Sequence, residues 1–212
     1  MSERARKSLP YMPGLDGLRA VAVLGVLLYH ADVRWMPGGF LGVEVFFVIS
    51  GYLITSLLLA EWAGGADADR PGPRIDLKRF WIRRARRLLP ALYLLLVVTT
   101  AYVALRMPHE LRGLGGDLAA ALTYVTNWYL IAGHESYFEI MGRPSTLKHL
   151  WSLAVEEQFY IFWPIVLALA LRLLRRRGAF LFACLATVAS AVAMAWLLVP
   201  FADPSRVYYG TD

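Results

Sequence analysis

Gly17-Leu-Arg-Ala-Val-Ala-Val-Leu-Gly-Val-Leu-Leu-Tyr-His30 is an apolar run with an arginine near one end and a histidine at the other. Its length and composition predict a helix crossing a membrane. Arg19 and His30 are eleven residues apart. At about 100° per residue, eleven steps come to roughly three turns, so both side chains fall on one helical face, roughly 16 Å apart along the axis. Ionisable side chains are costly in such a segment and usually face a bundle interior or a wet cavity. Two readings stand: Arg19 and His30 line a functional site, or Arg19 snorkels to the headgroups and His30 caps the far end at the interface.

The rest of the chain supports the membrane assignment. Of its 212 residues 58% are hydrophobic, and the mean hydropathy is +0.49, above the share usual for soluble domains. Apolar runs of spanning length recur, which predicts an all-α, polytopic transmembrane helix bundle. The net charge of +6 is gathered in short segments between these runs. That is the pattern of membrane orientation and anionic-lipid contact, and it argues against nucleic acid as a partner. No His, Cys or carboxylate spacing suits a metal. The one cysteine, Cys184, lies inside an apolar run and is expected to be a buried small hydrophobe.

Taken in order, residues 1–13 form a basic tail with Arg4, Arg6 and Lys7, not a cleavable signal peptide. Residues 14–212 form the membrane domain. Helix one is expected over Leu15–Trp35, helix two over Phe40–Trp62 with the lone charge Glu44, and helix three over the uncharged run Leu88–Leu105, with Pro90 in its first turn. Eight Lys/Arg lie between Arg70 and Arg87. Leu118–Ala132, at 15 residues, is short for a span and suits a re-entrant or short helix. Trp151–Leu171 and Ala179–Ala202 are long enough to cross, and Arg172, Arg175, Arg176 and Arg177 lie between them. With the basic clusters placed on the cytoplasmic side, five spans and a re-entrant 118–132 satisfy the charge rule. The N-terminus is then cytoplasmic, and His30 and Trp151–Glu157 lie toward the outer side.

Several groups are chemically suggestive. Histidine is the side chain best suited to act as a base near neutral pH, and Glu156 and Glu157 are carboxylates able to support its charged form. His149, Ser152, Glu156 and Tyr160 share a helical face. The alternative is an amphiphilic helix end with an aromatic belt of Trp151, Phe159, Tyr160 and Trp163. Arg83, Arg84, Arg86 and Arg87 suit phosphates of a cytoplasmic ligand, or anchor the topology on anionic lipid. Ser50-Gly51 offers a surface for close helix packing. Glu44, alone in a span, is expected to find a partner.

Four motifs in order resemble the acyltransferase-3 family of integral membrane acyltransferases. They are Leu15-Asp-Gly-Leu-Arg-Ala20 with Arg19-x10-His30; Gly42-Val-Glu-Val-Phe-Phe-Val-Ile-Ser-Gly-Tyr-Leu53; Arg83-Arg-Ala-Arg-Arg-Leu-Leu-Pro90; and Leu150-Trp-Ser-Leu-Ala-Val-Glu-Glu-Gln-Phe-Tyr160. The resemblance covers roughly residues 11–212. It implies transfer of an acyl group, most often acetyl from cytoplasmic acetyl-CoA or another acyl-CoA, to a hydroxyl of a cell-envelope glycan or exported small molecule. It makes His30 the essential histidine, with Glu156 or Glu157 as the family carboxylate. Arg19, Arg84 and Arg87 become candidates for the donor's phosphates. It also implies a bacterial inner or plasma membrane, with membrane lipid as surroundings. Glu44 stands where the family often has Asp. Tyr208-Tyr-Gly-Thr-Asp212 is similar to the beginning of the family's Thr-Asp-Thr-Arg motif, which suggests an N-terminal portion of a longer enzyme. From the residues alone, a transporter or a non-catalytic membrane subunit of a glycan-export system is the competing class, since intramembrane Arg, His and Glu also serve proton relays.

Overall fold

A computed structural model describes residues 11–64, 75–137, 145–198 and 203–211. Residues 1–10 of the basic tail, with Arg4, Arg6 and Lys7, lie outside them, as does Asp212. The described residues are all-α, with no strand among them. The chain divides into two compact units, Met1–Ile75 and Asp76–Asp212.

In the first unit, α1 (Pro13–His30) begins with Pro13, whose missing N–H costs nothing at a helix start. It ends at His30, earlier than the expected Trp35. Asp32 takes φ 52°, its N–H bonds to the Tyr29 carbonyl, and the Val33 N–H bonds to the Leu28 carbonyl. This is a Schellman stop, which hydropathy cannot reveal. After the 3₁₀ turn Gly39–Leu41, α2 (Gly42–Gly64) returns against α1. The two backbones approach closely because glycine stands at the crossing. A Cβ on Gly39 would fall on the Gly25 carbonyl, and one on Gly42 would fall on the Ala22 carbonyl. Glu44 is exposed and forms no ion pair among the described residues, contrary to expectation.

In the second unit, α3 (Leu77–Arg106) is 30 residues long and starts inside the basic stretch. The Asp76 side chain caps it, accepting from the Arg79 N–H at 2.9 Å. The arginines are therefore helical, and Pro90 lies in the helix interior instead of the first turn. Residues 118–132 are not one segment. The helix α4 (Leu111–Leu122) stops at Tyr124, which takes φ 55°, and α5 (Thr126–Ala132) follows. The N–H groups of Tyr124 and Val125 bond to the carbonyls of Ala121 and Ala120, a second Schellman stop. Neither piece is long enough to cross a bilayer.

The helix α6 (Leu150–Leu197) runs for 48 residues with one non-helical residue inside, Arg175 at φ 57°, ψ −178°. That length is about 72 Å of helix, enough for two crossings, and the break falls between the two expected spans. Cys184 is exposed on the second stretch, not buried, because hardly any residue there meets another described element. A short α7 (Ser205–Tyr209) closes the described chain. Three helices, Gly39–Gly64 (counting the 3₁₀ turn), Leu77–Arg106 and Leu150–Leu197, are long and apolar enough to cross a membrane. The shorter α1 falls outside that set. The core of the second unit joins Leu92, Leu96 and Val103 of α3 to Leu114 and Ala121 of α4 and to Leu147.

Candidate active site

His30 is the last residue of α1. Its Nδ1–H donates to the Val26 carbonyl at 2.8 Å. A carbonyl only accepts, so this bond selects the tautomer with the proton on Nδ1 and the lone pair on Nε2. The ring also meets the edge of Tyr29, with centroids 5.4 Å apart. Arg19 stands on the same helix, its guanidinium 3.3 Å from Asp16 in an exposed pair one turn away. The eleven-residue interval therefore lies wholly within one helix, as the spacing requires.

In the second unit Arg84, Glu156, Glu157 and Tyr160 converge, so the basic run and the start of α6, expected on opposite sides of the membrane, instead lie at one level. Arg84 Nε lies 3.2 Å from Glu157 Oε1, and Nη2 lies 3.8 Å from Glu156 Oε1. The Arg84 and Glu157 side chains retain 22% and 12% exposure, so their pairing is largely shielded from water. The guanidinium lies over the Tyr160 ring, 3.0 Å from its centroid. The Tyr160 hydroxyl donates to Glu156, one turn back along α6. Pro164 has no N–H, so the Tyr160 carbonyl lacks its helical donor. Trp81 supplies one from α3, with Nε1 donating at 3.0 Å. The proline that breaks the α6 ladder thus fixes where α3 docks.

The arginine run divides between two sides of α3. Arg84 points at α6. Arg83 and Arg86 are exposed and, with Asp76, Lys78, Arg79 and Ile82, line an open cleft of about 410 Å³. Arg87 is exposed and outside that lining. Arg84 and Arg87, paired by their motif, are therefore not equivalent. His149 is the residue preceding α6, and its carbonyl accepts from the Ser152 hydroxyl at 3.3 Å.

Sequence reasoning passed over Gln158, next to the two glutamates. Its Nε2 donates to the Tyr124 carbonyl (2.7 Å) and to Asn127 Oδ1 (2.9 Å). Its Oε1 accepts from Trp128 Nε1 (3.2 Å) and from the Thr211 hydroxyl (3.1 Å). All four capacities of the amide are used. Asn127, with no solvent exposure, donates in turn to the Tyr209 carbonyl at 3.1 Å. One glutamine thus ties α6 to the α4–α5 break and to residues 209–211. The available signal was Asn127, an amide amid the apolar run 118–132, where an unpaired polar group would be costly. Nearby, the Ser205 hydroxyl donates to Asp203 (2.6 Å) and accepts from the Tyr137 N–H (2.6 Å), and Lys148 donates to the Ser136 carbonyl. Among the described residues, no three His, Cys, Asp or Glu side chains gather as metal ligands would.

A family model described as an acyltransferase domain matches residues 12–210. The chain is 47% identical over its full length to the peptidoglycan O-acetyltransferase OatA of Listeria monocytogenes, of which it covers 33%. It is 49% identical over 95% of its length to YrhL of Bacillus subtilis, a candidate peptidoglycan O-acetyltransferase, covering 31% of that protein. It is also 50% identical over 97% of its length to a candidate O-acetyltransferase of Staphylococcus aureus strain MSSA476, covering 33% of it. The chain thus spans about a third of the length of these relatives. No solved structure matches it. With residues 12–210 of the 212 inside the family match, the chain belongs to the acyltransferase-3 family.

Proposed function

We propose that this chain is the membrane acyltransferase part of an O-acetyltransferase, moving acetyl from acetyl-CoA to a hydroxyl of a cell-envelope glycan. The names of the relatives point to peptidoglycan as that glycan. The observation that carries the chemistry is the His30 tautomer: the Nδ1 bond to Val26 leaves the Nε2 lone pair as the basic site. In the reaction, Nε2 takes the proton of the acceptor hydroxyl. The hydroxyl oxygen forms a bond to the thioester carbonyl carbon. The carbon–sulfur bond breaks, and the CoA sulfur leaves with a proton. A route through acyl-His30 uses the same lone pair.

Arg19 and Arg87 remain candidates for the donor's phosphates, Arg19 from its exposed pairing with Asp16 and Arg87 from its exposed position. We assign Arg84 to holding Glu157, since that is where its charge is engaged. Glu156 and Glu157 are the carboxylates of the Leu150–Tyr160 motif, kept in place by Tyr160 and Arg84 respectively. The test is acyl ester content of envelope glycan, measured by mass spectrometry in cells making the full-length protein or its His30→Ala variant at equal membrane levels. Ester is expected with the first and not with the second. Equal ester in both removes His30 from the reaction.

A further inference from the structure

The basic stretch ahead of Leu88 is helical, so its cations have set angular positions. At about 100° per residue, Arg79, Arg83 and Arg86 fall within a sector of about 60°. Arg84 lies about 100° to 160° from each of them, on the side where it meets Glu157 and the Tyr160 ring. Arg79, Arg83 and Arg86 are exposed, and none forms an ion pair among the described residues.

Their height along the helix is equally informative. Leu88 opens the uncharged run that continues to Leu105. At 1.5 Å per residue, Arg86, Arg83 and Arg79 lie roughly 3, 8 and 14 Å before it. A headgroup layer is about 5–8 Å deep on each side of the hydrocarbon core, and arginine stems reach along the helix to bring their charges into it. The cleft that these residues line is open, and no aromatic ring in its lining offers a base a stacking surface. Its lining offers three guanidinium forks and the Lys78 ammonium to phosphate, against the one carboxylate of Asp76, which caps the Arg79 N–H.

We infer that Arg79, Arg83 and Arg86 hold the phosphate of an anionic phospholipid headgroup where α3 enters the bilayer, apart from Arg84 and its carboxylates. The inference does not depend on the acyl-transfer reading. The sequence presents Arg83, Arg84, Arg86 and Arg87 as one cluster; helical rotation assigns them to different tasks.

The test uses purified full-length protein in mixed micelles with defined amounts of phosphatidylglycerol or phosphatidylcholine, with retained lipids counted by native mass spectrometry. Each surface cation contributes about fivefold to anionic-lipid binding. The triple variant R79Q/R83Q/R86Q is expected to lose its preference for phosphatidylglycerol by about two orders of magnitude. R79K/R83K/R86K is expected to keep most of it, because lysine retains the charge. Thermal midpoints in phosphatidylcholine check that the variants are folded, and R83Q alone, expected to show about a fivefold loss, serves if the triple variant is not. Undiminished retention by a folded glutamine variant overturns the inference. So does displacement of phosphatidylglycerol from the wild type by millimolar CoA, which would make the stripe a site for soluble phosphate.

Discussion

Replacing Gln158 by leucine keeps the side-chain volume nearly constant and removes all four of its hydrogen bonds. Two partners, Trp128 Nε1 and the Thr211 hydroxyl, belong to exposed residues and can find other acceptors. The other two cannot do so as readily. Asn127 has no exposure, so its Oδ1 loses a donor in a buried place, and the Tyr124 carbonyl lies in a part-buried bond. A buried polar group left without a partner costs about 1–3 kcal/mol, so two such groups bring the expected destabilisation to about 2–6 kcal/mol. Gln158→Glu is expected to cost more than leucine despite its shape, because it sets a carboxylate against two acceptor oxygens. Asn127→Ala removes one end of the shared bond. The double variant should therefore be more stable than the sum of the single losses by about 1–2 kcal/mol. The assay is reversible unfolding in mixed micelles followed by tryptophan fluorescence. A Gln158→Leu variant within about 0.5 kcal/mol of wild type, or strict additivity in the double variant, would refute the assignment of Gln158 as the tie between α6, the α4–α5 break and residues 209–211.

Trp81→Phe removes the donor that serves the Tyr160 carbonyl and should cost about 1–3 kcal/mol; in a Pro164→Ala background the restored helical N–H should reduce that loss, measured by the same unfolding assay. Gly39→Ala places a Cβ on the Gly25 carbonyl and within 2.9 Å of Tyr29 Cβ, so it should lower stability by about 1–3 kcal/mol. Gly17→Ala, with nothing within 4 Å, should raise it by about 0.5–1 kcal/mol; thermal midpoints of the two variants check the contrast. Burial holds the Lys148 ammonium below its ordinary pKa of 10.5, outweighing attraction from Glu135 and Asp203. The folded state therefore releases this proton before the unfolded state does. Its contribution to stability should rise with pH from the lowered pKa toward that of an ordinary lysine, and Lys148→Met should remove that rise when unfolding is followed as the pH is raised from neutral toward the ordinary lysine range.

What could be read from the sequence was whatever depends on neighbours along one helix. The interval from Arg19 to His30 needs only the 3.6-residue period, and α1 contains both. The apolar runs foretold the helices because a backbone in hydrocarbon must satisfy its own hydrogen bonds. The shortness of the apolar run 118–132 matches the two short helices found there, neither long enough to span a bilayer by itself. Where chain direction turns on a few backbone bonds, hydropathy was silent: Asp32 and Tyr124 stop helices at positive φ without glycine, and α3 starts eleven residues before its apolar run because Asp76 caps it.

Only the tertiary structure decided which polar groups meet. Arg84 and Glu157 are 73 residues apart, and Asn127 and the Tyr209 carbonyl 82. No local pattern encodes such pairings, because they depend on how α3, α5 and α6 are rotated about their axes when their apolar faces pack. A rotation of one residue, about 100°, would turn Arg84 from the glutamates to the side where Arg83 lies. The sequence determined the helices and the inventory of charges; packing determined that one arginine of the run secures a carboxylate while its neighbours face outward.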